Sequence, residues 1–405
     1  MSSKTFLIAG AGLAGAKAAE TLRDEGFDGR VVLVGAEAER PYERPPLSKE
    51  LLRGEAESDP YVHEEGFYDE AEIELRTSSR VVSLDTAASE AELAGGERLR
   101  YDALLLATGA VPRRIPVPGN DLDGVHYLRE LGDSRDLGAL FLPGARVAVI
   151  GAGWIGAETA ASARQKGAEV VLIERDEVPL QRVLGPDVGV IFRDLHRDHG
   201  VEFVAGAVVE AFEGSSSVER VVLGDGRKVE ADLVIVGVGV APCTTLAEGA
   251  GLAVDNGVVT DAALRSSVPN VFAAGDVANA HHPFYKRQIR VEHWANALEQ
   301  GPAAAKSMLG QDVSYDKIPY FFSDQYDLGM EYGGYATDWD EVVYRGDVDG
   351  RECVVFWLRE RRVEAGMNVN VWDVNEQIRE LVRSRQEVDV KRLADPDEPL
   401  GELLP

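Results

Sequence analysis

Two sets of glycines carry the strongest chemical signal in this chain. Gly10, Gly12 and Gly15 form one set and Gly151, Gly153 and Gly156 the other, both spaced GxGxxG. That spacing suits the pyrophosphate of a dinucleotide. The first glycine permits a sharp strand-to-helix turn, the second lets the backbone approach the phosphates, and the third lets helix and strand pack closely. The helix that follows offers free N–H groups and the positive end of its dipole to the anion. A carboxylate about 20 residues farther on, at the end of the next strand, then meets the adenosine ribose. Glu174 stands there in the second copy, followed by Arg175; in the first copy the strand ends in Gly35-Ala36 and Glu37 is the nearest carboxylate. A carboxylate at Glu174 hydrogen-bonds a 2′-hydroxyl and repels a 2′-phosphate, which favours NADH over NADPH.

These residues need a βαβ unit to position them, and the pattern of one appears twice. In the first copy Thr5 to Ala9 reads as a strand, the glycines open an amphipathic helix to about Glu25, and Arg30 to Val34 forms the second strand. A hairpin-like stretch surrounds Gly95-Gly96, and a strand from Ala103 to Ala107 ends in Thr108-Gly109. The second copy runs through a strand Arg146 to Ile150, a helix to about Lys166 and a strand Glu169 to Ile173. A hairpin then turns at Gly224-Asp225-Gly226, where Asp-Gly suits positive φ, and Leu233 to Val236 ends in Gly237-Val238-Gly239. One GxGxxG is weak evidence. Two, each between a strand and a helix with an acidic residue downstream, specify two dinucleotide sites.

Composition narrows the chemistry further. The 405 residues, 45% hydrophobic and 28% charged, suit two or three globular domains. A formal net charge of -28 repels phosphate backbones and anionic lipid, so neither nucleic acid nor membrane is an expected partner. No apolar run is long enough to span a bilayer, and Phe6 to Ala16 reads as strand, loop and helix rather than a secretory signal. A cytoplasmic location is the expectation. Cys243 and Cys353 stand far apart, outside any CxxC or Cys/His cluster, and are expected as isolated buried thiols. His281-His282 reads as a solvated loop, since adjacent loop side chains rarely converge on one ion, and no metal site is expected. Redox chemistry must then sit on a bound organic cofactor.

In order along the chain come the first glycine set, Arg40-Pro-Tyr-Glu-Arg-Pro-Pro-Leu-Ser-Lys49, Ala107-Thr-Gly109, Gly151-Ala-Gly-Trp-Ile-Gly-Ala-Glu158 and Ala274-Gly-Asp276. This series resembles the FAD-dependent ferredoxin reductases of the putidaredoxin reductase type, which serve bacterial cytochrome P450s and ring-hydroxylating dioxygenases. The broader superfamily includes glutathione reductase and apoptosis-inducing factor. The resemblance covers nearly the whole chain. It implies an α/β fold with two Rossmann-like dinucleotide-binding domains, glutathione-reductase-like, and a smaller α+β C-terminal domain. The FAD domain would be split, 1–112 and 241–318, around an NAD domain at 113–240, with the C-terminal domain at 319–405. In the last, Glu341 to Asn368 alternates polar and apolar with a turn at Asp349-Gly350 and reads as an antiparallel meander. Asp373 and Glu376 read as a capping box for a helix to about Arg385, and Ala394 to Pro405 as a surface-draped loop.

The resemblance also assigns residues. Gly10, Gly12, Ala14 and Gly15 would hold the FAD pyrophosphate and Glu37 its adenosine end, although the family usually has Asp where this chain has Ala36. Arg44, Pro45 and Lys49 would line the isoalloxazine; Val82, Thr108, Gly109 and Arg129 are further cofactor contacts, and Asp276 would bind the ribitol chain. Glu292, His293 and Trp294 precede a helix from Ala295 to Leu309 whose N-terminus would face the flavin pyrimidine edge and favour negative charge there. Gly151, Gly153, Gly156, Glu174 and Gly239 would serve the nicotinamide dinucleotide. Glu158, read as lying on the first turn of its helix, suits a nicotinamide contact better than a pyrophosphate. It is expected to form an ion pair with Lys49 beside the flavin, the two acting as the catalytic pair.

Hydride transfer between stacked rings needs alignment more than acid–base groups. Glutathione-reductase-like enzymes pass electrons on through a redox disulfide, but Leu47 to Gly54 contains no cysteine. Single electrons must then leave the flavin outward, most simply to a [2Fe–2S] ferredoxin. Arg359, Arg361 and Arg362, or Lys286 and Arg287, are docking candidates, and Gly301-Pro302 marks a place where partner contacts would differ from those of related reductases. Rival readings are a rubredoxin reductase, a nitrite reductase electron-input subunit, an NADH oxidase, and an apoptosis-inducing-factor-like redox switch.

Overall fold

The computed structural model describes residues 4–403, which cluster into two compact units. One comprises the chain up to Arg44 with residues 58–111 and 240–317; the other comprises residues 45–57 and 112–239 with the chain from Ile318 onward. Residues 45–57 cluster with the second unit for identifiable reasons. Leu52 is buried in that unit's core. The Leu47 carbonyl accepts from Ser134 Oγ at 2.7 Å, and the Arg53 carbonyl from Lys166 Nζ at 3.0 Å.

The first unit is built on a five-stranded parallel sheet ordered Val271–Ala273, Ala103–Leu106, Thr5–Ala9, Arg30–Val34, Ile73–Arg76. Thr5–Ala9 is the middle strand because it is apolar on both faces. Phe6 and Ile8 enter one core and Leu7 and Ala9 the other, as a period of two requires. The glycine helix Leu13–Asp24 packs on the long helix Trp294–Met308 through small residues. A Cβ on Gly301 would fall 2.4 Å from the Ala14 carbonyl oxygen. Gly301 is therefore a buried packing position rather than part of a partner surface.

The second unit repeats the plan with strands ordered Glu202–Val204, Glu169–Ile173, Arg146–Ile150, Leu233–Val236, Val125–His126, all parallel. Val147 and Val149 enter one core, Ala148 and Ile150 the other. The same unit holds an antiparallel sheet ordered Tyr320–Gln325, Leu328–Gly334, Arg362–Val369, Glu352–Arg359, Glu341–Asp347. Its first two strands precede the meander read from sequence. One face buries Trp357, Met330 and Tyr332 against Phe192 and Leu195 of helix Pro186–Asp198, with Trp357 Nε1 donating to the Leu184 carbonyl at 2.9 Å. Helix Asn375–Ser384 packs on the sheet as well: a Cβ on Gly366 would fall 2.6 Å from Ile378 Cγ2.

Four local readings are corrected. The expected capping box fails: helix Asn375–Ser384 starts after Val374 without a side-chain cap, and Asp373 sits at φ +63°. His281-His282 is no loop but the end of strand Ala278–His282; His282 is buried, with Nε2 donating to the Lys317 carbonyl at 2.9 Å. Both cysteines are free, but Cys243 is only half-buried. The tail is pinned rather than draped, as far as it is described; Leu404 and Pro405 lie outside the described residues. The guanidinium of Arg345, 9% exposed, donates to the carbonyls of Leu393, Asp395, Pro396 and Glu398. Leu400 is buried as well.

Two expectations follow from these buried polar groups. Arg345→Met strips four tail carbonyls of their donor, so the C-terminal sheet should lose about 2 kcal/mol. Limited proteolysis should then cut between residues 394 and 400 faster; unchanged cutting would contradict the anchor. The second concerns His196, fully buried with Nε2 3.1 Å from Gln325 Oε1. Burial pushes it down to about 4 from an ordinary 6.5. The unfolded chain therefore takes up a proton that the folded chain refuses. The stability this confers is complete above pH 6.5 and is lost as pH falls toward 4, with a slope of up to about 1.4 kcal/mol per pH unit. His293 behaves alike. His196→Gln should flatten the fall in urea midpoint between pH 6.5 and 4.5 without abolishing it, and an unchanged slope would count against a neutral His196.

Candidate functional site

In the first unit the glycine loop is tight at its ends and open in its middle. A Cβ on Gly10 would sit 2.0 Å from the Ala107 carbonyl oxygen, and one on Gly15 would sit 2.0 Å from the Gly10 carbonyl oxygen. One on Gly12 would meet nothing within 4 Å. Helix Leu13–Asp24 begins there with no side-chain cap and no acidic residue in its first turn, so its amide hydrogens and dipole face outward uncompensated. An open cradle at the positive end of a helix fits a pyrophosphate. The second unit repeats it. A Cβ on Gly156 would sit 1.9 Å from the Gly151 carbonyl oxygen, one on Gly153 would meet open space, and helix Trp154–Gln165 also lacks an acidic first turn.

Several residues expected at a cofactor gather within the first unit. Gly275 approaches Ala14, since a Cβ on it would lie 3.2 Å from Ala14 Cβ; the half-buried Asp276 therefore stands beside the glycine helix. Thr108 Oγ1 donates to the Cys243 carbonyl at 2.9 Å and the Gly109 carbonyl accepts from Cys243 N at 2.9 Å, fixing the strand end. Glu37 accepts from Arg44 Nη2 at 2.7 Å and from Tyr42 Oη, so its carboxylate is already oriented by its own neighbours. Ala36 is exposed. Glu292 is ion-paired with Arg290, whose Nη1 also donates to the Asp276 carbonyl at 3.1 Å. Trp294 opens helix Trp294–Met308, whose first turn holds no acidic residue. Val82 is 49% exposed on strand Val81–Asp85, which removes a core role as its explanation.

In the second unit the structure brings together the two residues read as a catalytic pair. Lys49 Nζ lies 3.1 Å from Glu158 Oε2, with side chains 8% and 4% exposed. Two buried charges survive only when paired and hydrogen-bonded. Glu158 Oε2 also accepts from Ser48 Oγ at 2.5 Å and Oε1 from Ser323 Oγ at 2.7 Å; Lys49 also donates to the Pro45 carbonyl at 3.1 Å and faces the Phe322 ring at 5.4 Å. The short 3-10 helix Pro45–Ser48 is what presents this lysine. One detail of the sequence reading is corrected: no acidic residue lies in the first turn of helix Trp154–Gln165, and Glu158 sits a turn deeper, on the buried side. Ser323 escaped the sequence reading. The polar run Ser323-Asp324-Gln325 inside an otherwise aromatic strand was the available signal. Burial and the Glu158 and Glu50 carboxylates hold the Asp324 carboxyl above its usual range, against the pull of Lys49 and Arg53.

Glu174 reaches back over its own loop. Oε2 accepts from Ala152 N, and Oε1 from Arg175 N at 2.8 Å and Asp176 N at 3.1 Å. Gly239, at φ +93°, leaves open space at the end of Leu233–Val236. Arg129 lies just before helix Leu131–Leu140, its N–H on Asp133 Oδ2 at 2.9 Å. Two of the three docking arginines are ion-paired and the third is held by a carbonyl. Arg359 pairs with Asp338 at 2.9 Å, Arg362 with Glu360 at 3.1 Å, and Arg361 Nη2 donates to the Val388 carbonyl at 3.1 Å. Among the described residues no helix is long and apolar enough to cross a membrane, and no group of three His, Cys, Asp or Glu is placed to hold a metal ion.

Comparison with known proteins agrees with this architecture. Residues 4–301 match the pyridine nucleotide-disulphide oxidoreductase family and residues 320–404 match the reductase C-terminal domain. The ferredoxin–NAD(+) reductase component of the anthranilate 1,2-dioxygenase system of Burkholderia cepacia is 38% identical over 401 residues, covering 98% of this chain and 98% of the relative. Putidaredoxin reductase of Pseudomonas putida is 35% identical over 410 residues, covering 100% of this chain and 97% of the relative. A chain in the crystal structure of the covalent putidaredoxin reductase–putidaredoxin complex superposes with a TM-score of 0.96 at 35% identity, covering 100% of this chain and 98% of that one. The chain is an oxidoreductase and belongs to the pyridine nucleotide-disulphide oxidoreductase family.

Proposed function

We propose that the chain takes electrons from NADH through a bound FAD and hands them singly to a [2Fe–2S] ferredoxin that feeds a cytochrome P450 or Rieske-type oxygenase. One NADH and two oxidised ferredoxins would give NAD+, one proton and two reduced ferredoxins. The observation that carries this reading is the pair of open cradles at Gly12 and Gly153, each at an uncapped helix start. The acceptor is supported by relatives named as ferredoxin–NAD(+) reductases of dioxygenase systems and by the absence of cysteine between Leu47 and Gly54. When bound, FAD would supply a two-electron acceptor that releases electrons one at a time.

In this reading the FAD domain is 1–112 with 241–318, the NAD domain 113–240 and the C-terminal domain 319–405, in a cytoplasmic protein. Gly10, Gly12, Ala14 and Gly15 hold the flavin dinucleotide's phosphates, Glu37 its adenosine end and Asp276 its ribitol. Arg44, Pro45, Lys49, Val82, Thr108, Gly109, Arg129, Glu292 and Trp294 complete its contacts. The Lys49 ammonium is anchored twice, by Glu158 and the Pro45 carbonyl, and its third N–H is kept for the cofactor. Glu174, steadied by three backbone amides, presents the one lone pair left on Oε2 to a 2′-hydroxyl and repels a 2′-phosphate.

A methyl group separates this reading from a purely structural one. Because a Cβ at Gly12 or Gly153 meets open space, Gly12→Ala and Gly153→Ala should fold with stability within about 0.5 kcal/mol of the parent. Gly12→Ala should weaken FAD retention on dialysis at least tenfold, about 1.4 kcal/mol. Gly153→Ala should keep FAD but raise the KM for NADH by a similar factor. Parent-like retention and KM in both variants would remove the cradles from the site. Glu174→Ser should narrow the ratio of kcat/KM for NADH over NADPH by about tenfold; an unmoved ratio would mean that another residue reads the ribose.

A further inference from the structure

We propose that Ser323, in the first strand of the C-terminal sheet, is a positioning residue for hydride transfer, because its hydroxyl holds the Glu158 carboxylate that in turn holds Lys49. The proposal rests on the reading of Lys49 as a flavin contact given above. It assigns the C-terminal sheet a part in accepting electrons, in addition to any part in passing them on.

The Glu158 carboxylate has two oxygens and three named donors. Oε2 is shared by Ser48 Oγ and Lys49 Nζ, so only Ser323, at 2.7 Å on Oε1, fixes the rotation of the carboxylate plane from the other side. Without that donor Oε1 would swing to compete for Lys49. Ser323 is 1% exposed and cannot turn to water.

Its hydroxyl is itself oriented. Gln325 Nε2 donates to Ser323 Oγ at 3.3 Å, which leaves the serine hydrogen for Glu158. Gln325 Oε1 lies 3.1 Å from His196 Nε2, and Tyr326 Oη lies 3.3 Å from His196 Nδ1. The amide nitrogen of Gln325 is committed as a donor, so its oxygen must accept. His196 is then the Nε2–H tautomer, and Nδ1 accepts from Tyr326. Every donor in the series Tyr326, His196, Gln325, Ser323 points the same way and the series ends on Glu158. Bonds aligned in this manner polarise one another. The burial that keeps His196 neutral, down to about 4, is what the arrangement requires. An amide does not relay protons readily, so the series orients rather than conducts.

A buried serine that merely satisfies its own hydroxyl would affect folding and nothing else. The test uses the FAD-loaded protein and the flavin-free protein side by side, with Ser323→Ala, Ser323→Thr, Glu158→Gln and the Ala/Gln double variant. At saturating NADH the first-order bleaching of the flavin should slow about tenfold in Ser323→Ala with the Kd for NADH unchanged, and Ser323→Thr should recover most of it. In the Glu158→Gln background the alanine should cost nothing more. In the flavin-free protein the urea-midpoint losses of Ser323→Ala and Glu158→Gln should be non-additive, since both break one bond. A slow Glu158→Gln beside a parent-like Ser323→Ala overturns the proposal alone. Additive urea-midpoint losses in the flavin-free protein also overturn it. A parent-like Glu158→Gln overturns the catalytic reading of the ion pair on which it rests.

Discussion

Nothing larger than hydrogen fits between the start of each glycine helix and the strand-end turn beneath it. At Gly15 and Gly156 a single added carbon would come within 2.0 Å and 1.9 Å of a backbone carbonyl oxygen. That closeness pulls the first helical turn down to the carboxyl end of the parallel sheet, so that its amides look out over the strand ends. In open parallel sheets this is where ligands bind. The middle glycines then leave room for an anion, and the absence of acidic residues from both first turns leaves the dipoles uncancelled. The wider architecture of each unit, with two apolar faces per central strand, serves to hold that turn rigid.

Against this backbone chemistry stands a single side-chain device, the buried Lys49–Glu158 pair. Burying two charges is expensive, and attraction alone seldom compensates. Here the remaining capacity is taken up by Ser48, Ser323 and the Pro45 carbonyl, so neither charge is left partly solvated. The chain carries a net charge of -28, yet among the described residues this is the only carboxylate that is buried. Its cost is easier to understand if the pair meets a cofactor than if it serves packing, which leucine or methionine would do better. The enclosing serines come from a short 3-10 helix and from a strand far along the chain, which is how residues remote in sequence come to share one geometry.

The elements around the glycines were legible because their signals are local. Strands Thr5–Ala9, Arg30–Val34, Arg146–Ile150 and Glu169–Ile173 lie where apolar runs and glycines put them, and both glycine helices end within a residue of expectation. What failed depended on tertiary partners. Asp373 looks like a helix cap, but the chain there turns through positive φ and the helix starts later. His282 looks like loop beside its twin, yet strand pairing with Ile289's segment buries it while His281 stays exposed. The proline-rich tail gives no hint of Arg345, which lies far upstream and pins it. The Lys49–Glu158 pair was legible through family resemblance, but Ser323, which completes it, carries no motif of its own.

The central claim is that two glycine cradles in one chain seat two dinucleotides that exchange a hydride. Anaerobic titration of the purified, FAD-reconstituted protein with NADH tests it most directly, with the flavin released and counted afterwards. The account expects one FAD per chain and complete loss of the visible flavin band at one equivalent of NADH. A chain that stays colourless with excess FAD, or a bound flavin that NADH leaves unbleached, would contradict it.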